Sequence, residues 1–327
     1  MSHTTSASRR RLLVACAATL ALPGAVRAQS DGNTLRWGYI GSGRSPALPS
    51  GWALAHGQLP RELQALGITT IRTHAFPNGP DLNEALLAGA LDVGIYGDTP
   101  AVVARSRSPS SVLIGIETSG MNAWLLTPRD GVKAVAELRG RKVGVAVGSY
   151  MHRYLLGTLK QAGVLGQVSV VYLLGKDAEP ALERGDLAGY AAQIELGPLL
   201  ASKGYPVIDE AAKHPTLRGS SVIVATDKAL DRWPALPAAW HRARGAALQA
   251  IRRDPAAYHA FHARTTGFPL AAVQASYPLE QFPDQPFPAT GLQLLAHTKA
   301  FLLEQKLVRQ DFDLTQWRGA DRTLAKG

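Results

Sequence analysis

The chain has 327 residues, 46% of them hydrophobic, with a formal net charge of +10 and a single cysteine, Cys16. That length can bury two cores of ordinary size, and a lone cysteine excludes an intrachain disulfide and a cysteine-ligated metal centre. The Lys and Arg residues are scattered, with no long run and no aromatic-interleaved basic stripe, so the charge reads as a solvated surface with a mild pull on anions and excludes a nucleic-acid site.

In chain order, Ser8-Arg9-Arg10-Arg11-Leu12-Leu13 opens an apolar, alanine-rich stretch from Leu12 to Leu22 that closes at the small-residue site Val26-Arg27-Ala28. This pattern predicts an export signal over residues 1–28, removed near Ala28, and a periplasmic mature protein. The paired arginines beside Ser8 fit a twin-arginine signal as well as an ordinary one. The apolar run is well short of the ~20 residues that span a bilayer as a helix. Leu13-Val14-Ala15-Cys16 resembles a lipoprotein box but has too short an apolar lead to serve as one. Loss of residues 1–28 removes four arginines and no acid, which takes the formal charge from +10 to about +6.

From Leu35 onward, β-rich runs alternate with helical stretches. Strands are expected at Leu35–Ile40, Thr69–Phe76, Val93–Tyr96 and Val112–Ile116, with helices near Trp52–Leu66, Asp81–Ala88 and Thr99–Arg105. The pattern restarts after Arg139-Gly140-Arg141: strands at Lys142–Val147, Val168–Leu173 and Gly189–Ala192, helices at Ser149–Ala162 and Asp177–Arg184. Strands spaced by helices in this way predict two α/β units, each a sheet flanked by helices. Ala123–Thr127 and Val222–Ala225 are the apolar strands expected to connect them, which would place a cleft between two lobes. The expected boundaries are residues 33–125 for the first part of lobe 1, 126–219 for lobe 2, and 220–327 for the return to lobe 1 with C-terminal helices. Those helices are Ala238–Arg253, Pro255–Arg264, Leu270–Ser276 and Gly291–Gln305, with amphipathic spacing.

Strand ends followed by helix starts expose backbone N–H groups without intrahelical partners, and such termini attract anions. Three candidates stand out: Ser42-Gly43 after the first strand, Asp98-Thr99 after the third, and Gly148-Ser149-Tyr150 after the first strand of the second unit. Ser119 lies in a similar turn-like position. Asp98 and Ser149 are also the residue types that cap helices. Arg44 and Arg153 could add charge-assisted hydrogen bonds to an anion, while Met151 and His152 share the helix start with Tyr150.

Several of these blocks resemble the periplasmic solute-binding proteins of ATP-driven importers for aliphatic sulfonates, taurine and nitrate. The resemblance rests on Leu35-Arg36-Trp37-Gly38-Tyr39, Phe76-Pro77-Asn78-Gly79-Pro80, Leu87-Ala88-Gly89-Ala90-Leu91-Asp92-Val93-Gly94 leading to Gly97-Asp98-Thr99-Pro100, Val135 through Val145, and Ala181-Leu182-Glu183-Arg184-Gly185-Asp186-Leu187. It implies a two-lobed, type II periplasmic-binding-protein fold that closes on one small anionic solute and delivers it to the permease of an ABC importer in the inner membrane, as a monomer and without a cofactor. Where many members carry an aromatic and an acidic residue after the short strand of the second lobe, this chain has Ala192-Gln193-Ile194-Glu195, which makes Gln193 a candidate contact that can donate and accept.

The resemblance also brings an enzyme alternative, because the fold carries a cysteine-dependent desulfinase and thiamine-precursor enzymes. The first needs a cysteine that the mature chain lacks. For the second, the nine histidines are dispersed, and only His259 and His262 share a helix face, in a segment that reads as surface with no carboxylate nearby. No nucleophile elbow, phosphate loop or zinc-helix motif is present, so neither catalytic residues nor a metal are expected. A ligand-sensing protein is the third class, and it would need a transmembrane segment leading to a transducer.

Overall fold

The computed structural model describes residues 32–318. The expected signal over residues 1–28, its cleavage site and Cys16 lie outside the described residues. The first α/β stretch runs β1 (Thr34–Ile40), α1 (Pro49–Ala55), α2 (Gln58–Gln64), β2 (Thr70–Phe76), α3 (Gly79–Leu87), β3 (Val93–Gly97), α4 (Asp98–Arg107) and β4 (Ser111–Met121). The single helix expected over Trp52–Leu66 is two helices, because Gly57 adopts φ 78° between them, a left-handed turn that glycine takes without Cβ strain.

The second stretch is β5 (Trp124–Leu126), β6 (Lys142–Val145), α5 (Tyr150–Gln161), β7 (Ser169–Tyr172), α6 (Ala178–Glu183), β8 (Gly189–Ala192), α7 (Leu196–Ser202) and β9 (Val207–Glu210). The chain then returns through β10 (Gly219–Thr226) to α8 (Asp227–Arg232), α9 (Leu236–Arg253), α10 (Pro255–Thr266), α11 (Leu270–Ser276), α12 (Ala289–Glu304) and α13 (Leu314–Trp317).

Among the described residues ten strands form two five-stranded sheets, ordered β2-β1-β3-β10-β4 and β7-β6-β8-β5-β9. In the first, β1 runs parallel to β2 and β3, and β10 is antiparallel to both β3 and β4. The second repeats the plan: β6 is parallel to β7 and β8, and β5 is antiparallel to β8 and β9. In each sheet the antiparallel fourth strand is the one that enters directly after a crossing. The chain leaves the first sheet at Met121 and joins the second at Trp124, then leaves at Glu210 and rejoins the first at Gly219. The boundary expected between residues 125 and 126 therefore falls inside β5, and the crossing itself is Asn122-Ala123.

Residues 32–318 lie in one compact unit. Trp37 of β1 and Trp240 of α9 pack edge to face at 5.0 Å in the core, both almost fully buried. Beside them the carboxylate of Glu117 in β4, fully buried, accepts from the Ser50 backbone N–H at 2.7 Å, the Ser50 hydroxyl at 2.9 Å and Arg244 Nε at 2.9 Å. No described helix is long and apolar enough to cross a membrane.

Candidate functional site

The two sheets meet where α4 and α5 begin. The α4 terminus does not have the expected form. Gly97 is its N-cap, without a side-chain cap bond, and Asp98 sits inside the first turn, fully buried. The Asp98 carboxylate accepts from the Thr99 hydroxyl, the Ser220 backbone N–H and the Thr298 hydroxyl, each at 3.1 Å. Arg153 Nη2 lies 3.6 Å away, and neither side chain is exposed. The positive end of this helix thus already holds an anion that belongs to the chain. Asp98 and Thr99 are interior groups, not an open anion site.

Arg153, expected at the solute, is also committed. Its guanidinium donates to the Thr99 hydroxyl at 3.3 Å, Thr216 O at 3.1 Å and Arg218 O at 2.7 Å. It therefore ties α5 of the second sheet to α4 and to the segment returning to the first sheet. Burial pushes the Asp98 carboxyl pKa up and the Arg153 guanidinium down, and each partner opposes the other's shift.

The α5 terminus is built differently. Gly148 takes φ 84°, the turn that aims the chain into the helix, and Ser149 caps it by accepting from the His152 backbone N–H at 3.2 Å. The Ser149 hydroxyl donates to Ala146 O at 2.5 Å. The first turn contains no acidic residue, and both Gly148 and Ser149 are half-buried. His152 is half-buried; its Nδ1 accepts from the Gly148 N–H at 3.4 Å, and burial lowers its pKa. Tyr150 is buried, donates to Asn122 O at 3.1 Å at the first crossing, and has its phenol pKa raised by burial. Met151 is a buried core residue.

The remaining candidates are scattered around this junction. Ser42 and Arg44 are exposed and Gly43 is half-buried in the loop after β1, where the Tyr39 hydroxyl donates to Gly43 O at 2.5 Å. A Cβ on Gly43 would lie 2.6 Å from Thr265 O, so the loop packs against α10. Ser119, read as part of a turn, lies inside β4 opposite Ser220. Gln193 is half-buried beside Gly175.

Residues to which the sequence assigned no part in the site join the same junction. Glu195, buried in the turn after β8, accepts from the Tyr277 hydroxyl at 3.0 Å and faces His262 Nε2 at 3.3 Å. His262 is itself buried, and its Nδ1 lies 3.3 Å from the Tyr258 hydroxyl. The segment read as surface buries one face, Tyr258 and His262, and His262 has a carboxylate partner 67 residues away, a separation that helical periodicity cannot reveal. Among the described residues no group of three or more His, Cys, Asp or Glu could hold a metal ion.

At the outer edge, the segment before α3 faces the second sheet. Asn78 Nδ2 donates to the Tyr172 hydroxyl at 3.4 Å, and a Cβ on Gly148 would lie 3.0 Å from Pro80 Cγ. Tyr172 is 55% exposed, the most exposed large hydrophobic side chain among those described.

The sequence profile of the family described as NMT1/THI5 like matches residues 73–258. A protein of Escherichia coli (strain K12) assigned to the binding of aliphatic sulfonates is 32% identical over 170 residues, 51% of each chain, so the match spans about half the length of that relative. The alkanesulfonate-binding protein SsuA from Xanthomonas axonopodis pv. citri, solved bound to MOPS, superposes with a TM-score of 0.71 at 24% identity over 85% of this chain and 95% of its own. The periplasmic aliphatic sulphonate binding protein SsuA from Escherichia coli gives 0.70 at 25% identity over 88% and 91%. This chain has the periplasmic-binding-protein fold of those structures.

Proposed function

Because the chain belongs to the NMT1/THI5-like family, we propose that it is an extracytoplasmic receptor that captures a small, sulfonate-like organic anion between its two sheets and delivers it to an ABC importer. One observation carries the anion: α5 begins at the junction with half-buried backbone, a neutral serine cap and no acid in its first turn. A helix terminus of this kind presents N–H donors and a positive dipole end to a negative group. At α4 the same role is already filled by Asp98. Similarity to sulfonate-binding proteins supports the class of solute.

In this reading residues 1–28 direct export to the periplasm, by the Sec or the twin-arginine route, and the mature protein acts as a monomer. Ser149, Gly148 and the His152 side of α5 hold the head group, with Ser42, Gly43 and Gln193 bordering it. The test is a thermal-shift screen of residues 29–327 against sulfonates, sulfate esters, nitrate and neutral controls. A solute at about 100 times its Kd stabilises the folded state by roughly 2.7 kcal/mol. A shift produced by sulfonates and not by neutral controls supports the reading. No shift across the panel removes the anion.

A further inference from the structure

Among the side-chain contacts that join the half built on the first sheet to the half built on the second, three differ in kind; an exposed ion pair, Lys160–Glu304, also ties α5 to α12. Asp98–Arg153 is a charge pair with no exposed surface. Glu195 with Tyr277 and His262 is buried as well. Asn78–Tyr172 is exposed, neutral and long at 3.4 Å. Parting either of the first two would strand charged or polar groups in the interior, whereas parting the third returns an amide and a phenol to water.

The α5 terminus lies directly behind the third contact, with Pro80 close enough to Gly148 that an added Cβ would meet it at 3.0 Å. Separation of these segments would widen access to Gly148 and Ser149, which are half-buried while the contact is made. We infer that Asn78 and Tyr172 form the latch at the mouth of the cleft, and that the molecule opens there while the α4–α5 contact at Asp98–Arg153 stays closed as the pivot. This rests on the receptor reading for its purpose but not for its geometry. Asn78 is also the N-cap of α3, accepting from the Asp81 N–H at 2.9 Å, so the latch is held at the rigid start of a helix. Tyr172 ends β7, where Val145 pairs with it in register.

The experiment measures electron–electron distances between spin labels in a full chain carrying Cys16→Ser, so that the introduced cysteines are the only ones. Labels at the exposed positions Glu84 and Lys176 report on the mouth, and labels at Arg107 and Gln161 report on the pivot. Without any solute, Tyr172→Phe, which removes only the hydroxyl, is expected to raise the long-distance population at the mouth about fivefold, the order expected for one lost hydrogen bond. Asn78→Ser, which keeps a capping oxygen but loses the amide donor, should do the same, and the double variant should add little. The pivot distance should not change in any of them.

An unchanged mouth distribution in Tyr172→Phe and in Tyr172→Ala overturns the latch. Lengthening of the pivot distance together with the mouth overturns the pivot. Addition of taurine or MOPS should narrow the mouth distribution to the short distance. If neither does, the receptor reading loses its support, while the latch is still decided by the solute-free measurement.

Discussion

Arg153 Nη2 and the Asp98 carboxylate lie 3.6 Å apart with no solvent reaching either side chain, and they join helices that follow strands of different sheets. The Arg153 guanidinium also supports two backbone carbonyls of the returning segment, so one side chain organises the junction.

Removing one member of a buried pair leaves the other charge unpaired, which typically costs about 3–5 kcal/mol. Asp98→Ala and Arg153→Met should each lower stability in urea by that order. The apolar double substitution Asp98→Leu/Arg153→Met should cost far less than the two single losses together, since no charge remains inside. Chemical denaturation of the four proteins measures the coupling.

Ser149 serves both the cap and the proposed solute, and two substitutions separate these roles. Ser149→Ala should cost about 1 kcal/mol of stability through the lost cap and also weaken the response to sulfonates. Ser149→Asp restores a capping oxygen but puts a fixed negative charge where the anion would bind. It should melt close to wild type and give no sulfonate shift in the same thermal assay.

Gly148 and Gly140 both have positive φ, 84° and 73°, but only Gly148 has a neighbour, Pro80, within reach of a new Cβ. Gly140→Ala should cost about 1 kcal/mol from backbone conformation alone. Gly148→Ala should cost more, because Pro80 must also give way. The difference between their unfolding midpoints measures the packing at the mouth.

Burial lowers the His152 pKa from its ordinary value of 6.5. As pH falls below about 6.5, the unfolded chain takes up a proton that the folded chain refuses, so stability drops until the lowered folded pKa is passed. His241 shifts in the same direction, also mainly through burial, and contributes to the wild-type slope. His152→Gln should therefore show a smaller loss of urea midpoint between pH 7.5 and 5.5 than wild type, with the His241 share remaining.

The strands were legible in the sequence because they are short apolar runs spaced by helices: those at Val93, Gly189 and Lys142 begin where expected. The helix starts were legible too, yet their chemistry was not. Asp98 and Ser149 look alike as polar residues after a strand, and what separates them is distant in sequence. Asp98 is enclosed by Ser220 and Thr298, 122 and 200 residues away, whereas Ser149 bonds only to its own turn. The roles of Glu117 and Glu195 escaped notice for the same reason, since their partners, Arg244 on α9 and Tyr277 just past α11, are brought to them by packing that no local period encodes.

The place of β10 between β3 and β4 bears on how the chain can be made. Until Thr226 has emerged from the ribosome, β3 and β4 have no strand between them, and the first sheet cannot close. The N-terminal third of the protein must wait for a strand more than 90 residues behind it in synthesis, a long-range pairing of the kind that slows folding. No cut after the first 121 residues would yield a self-sufficient fragment, and a permuted chain that kept β10 next to β4 should assemble its first sheet sooner.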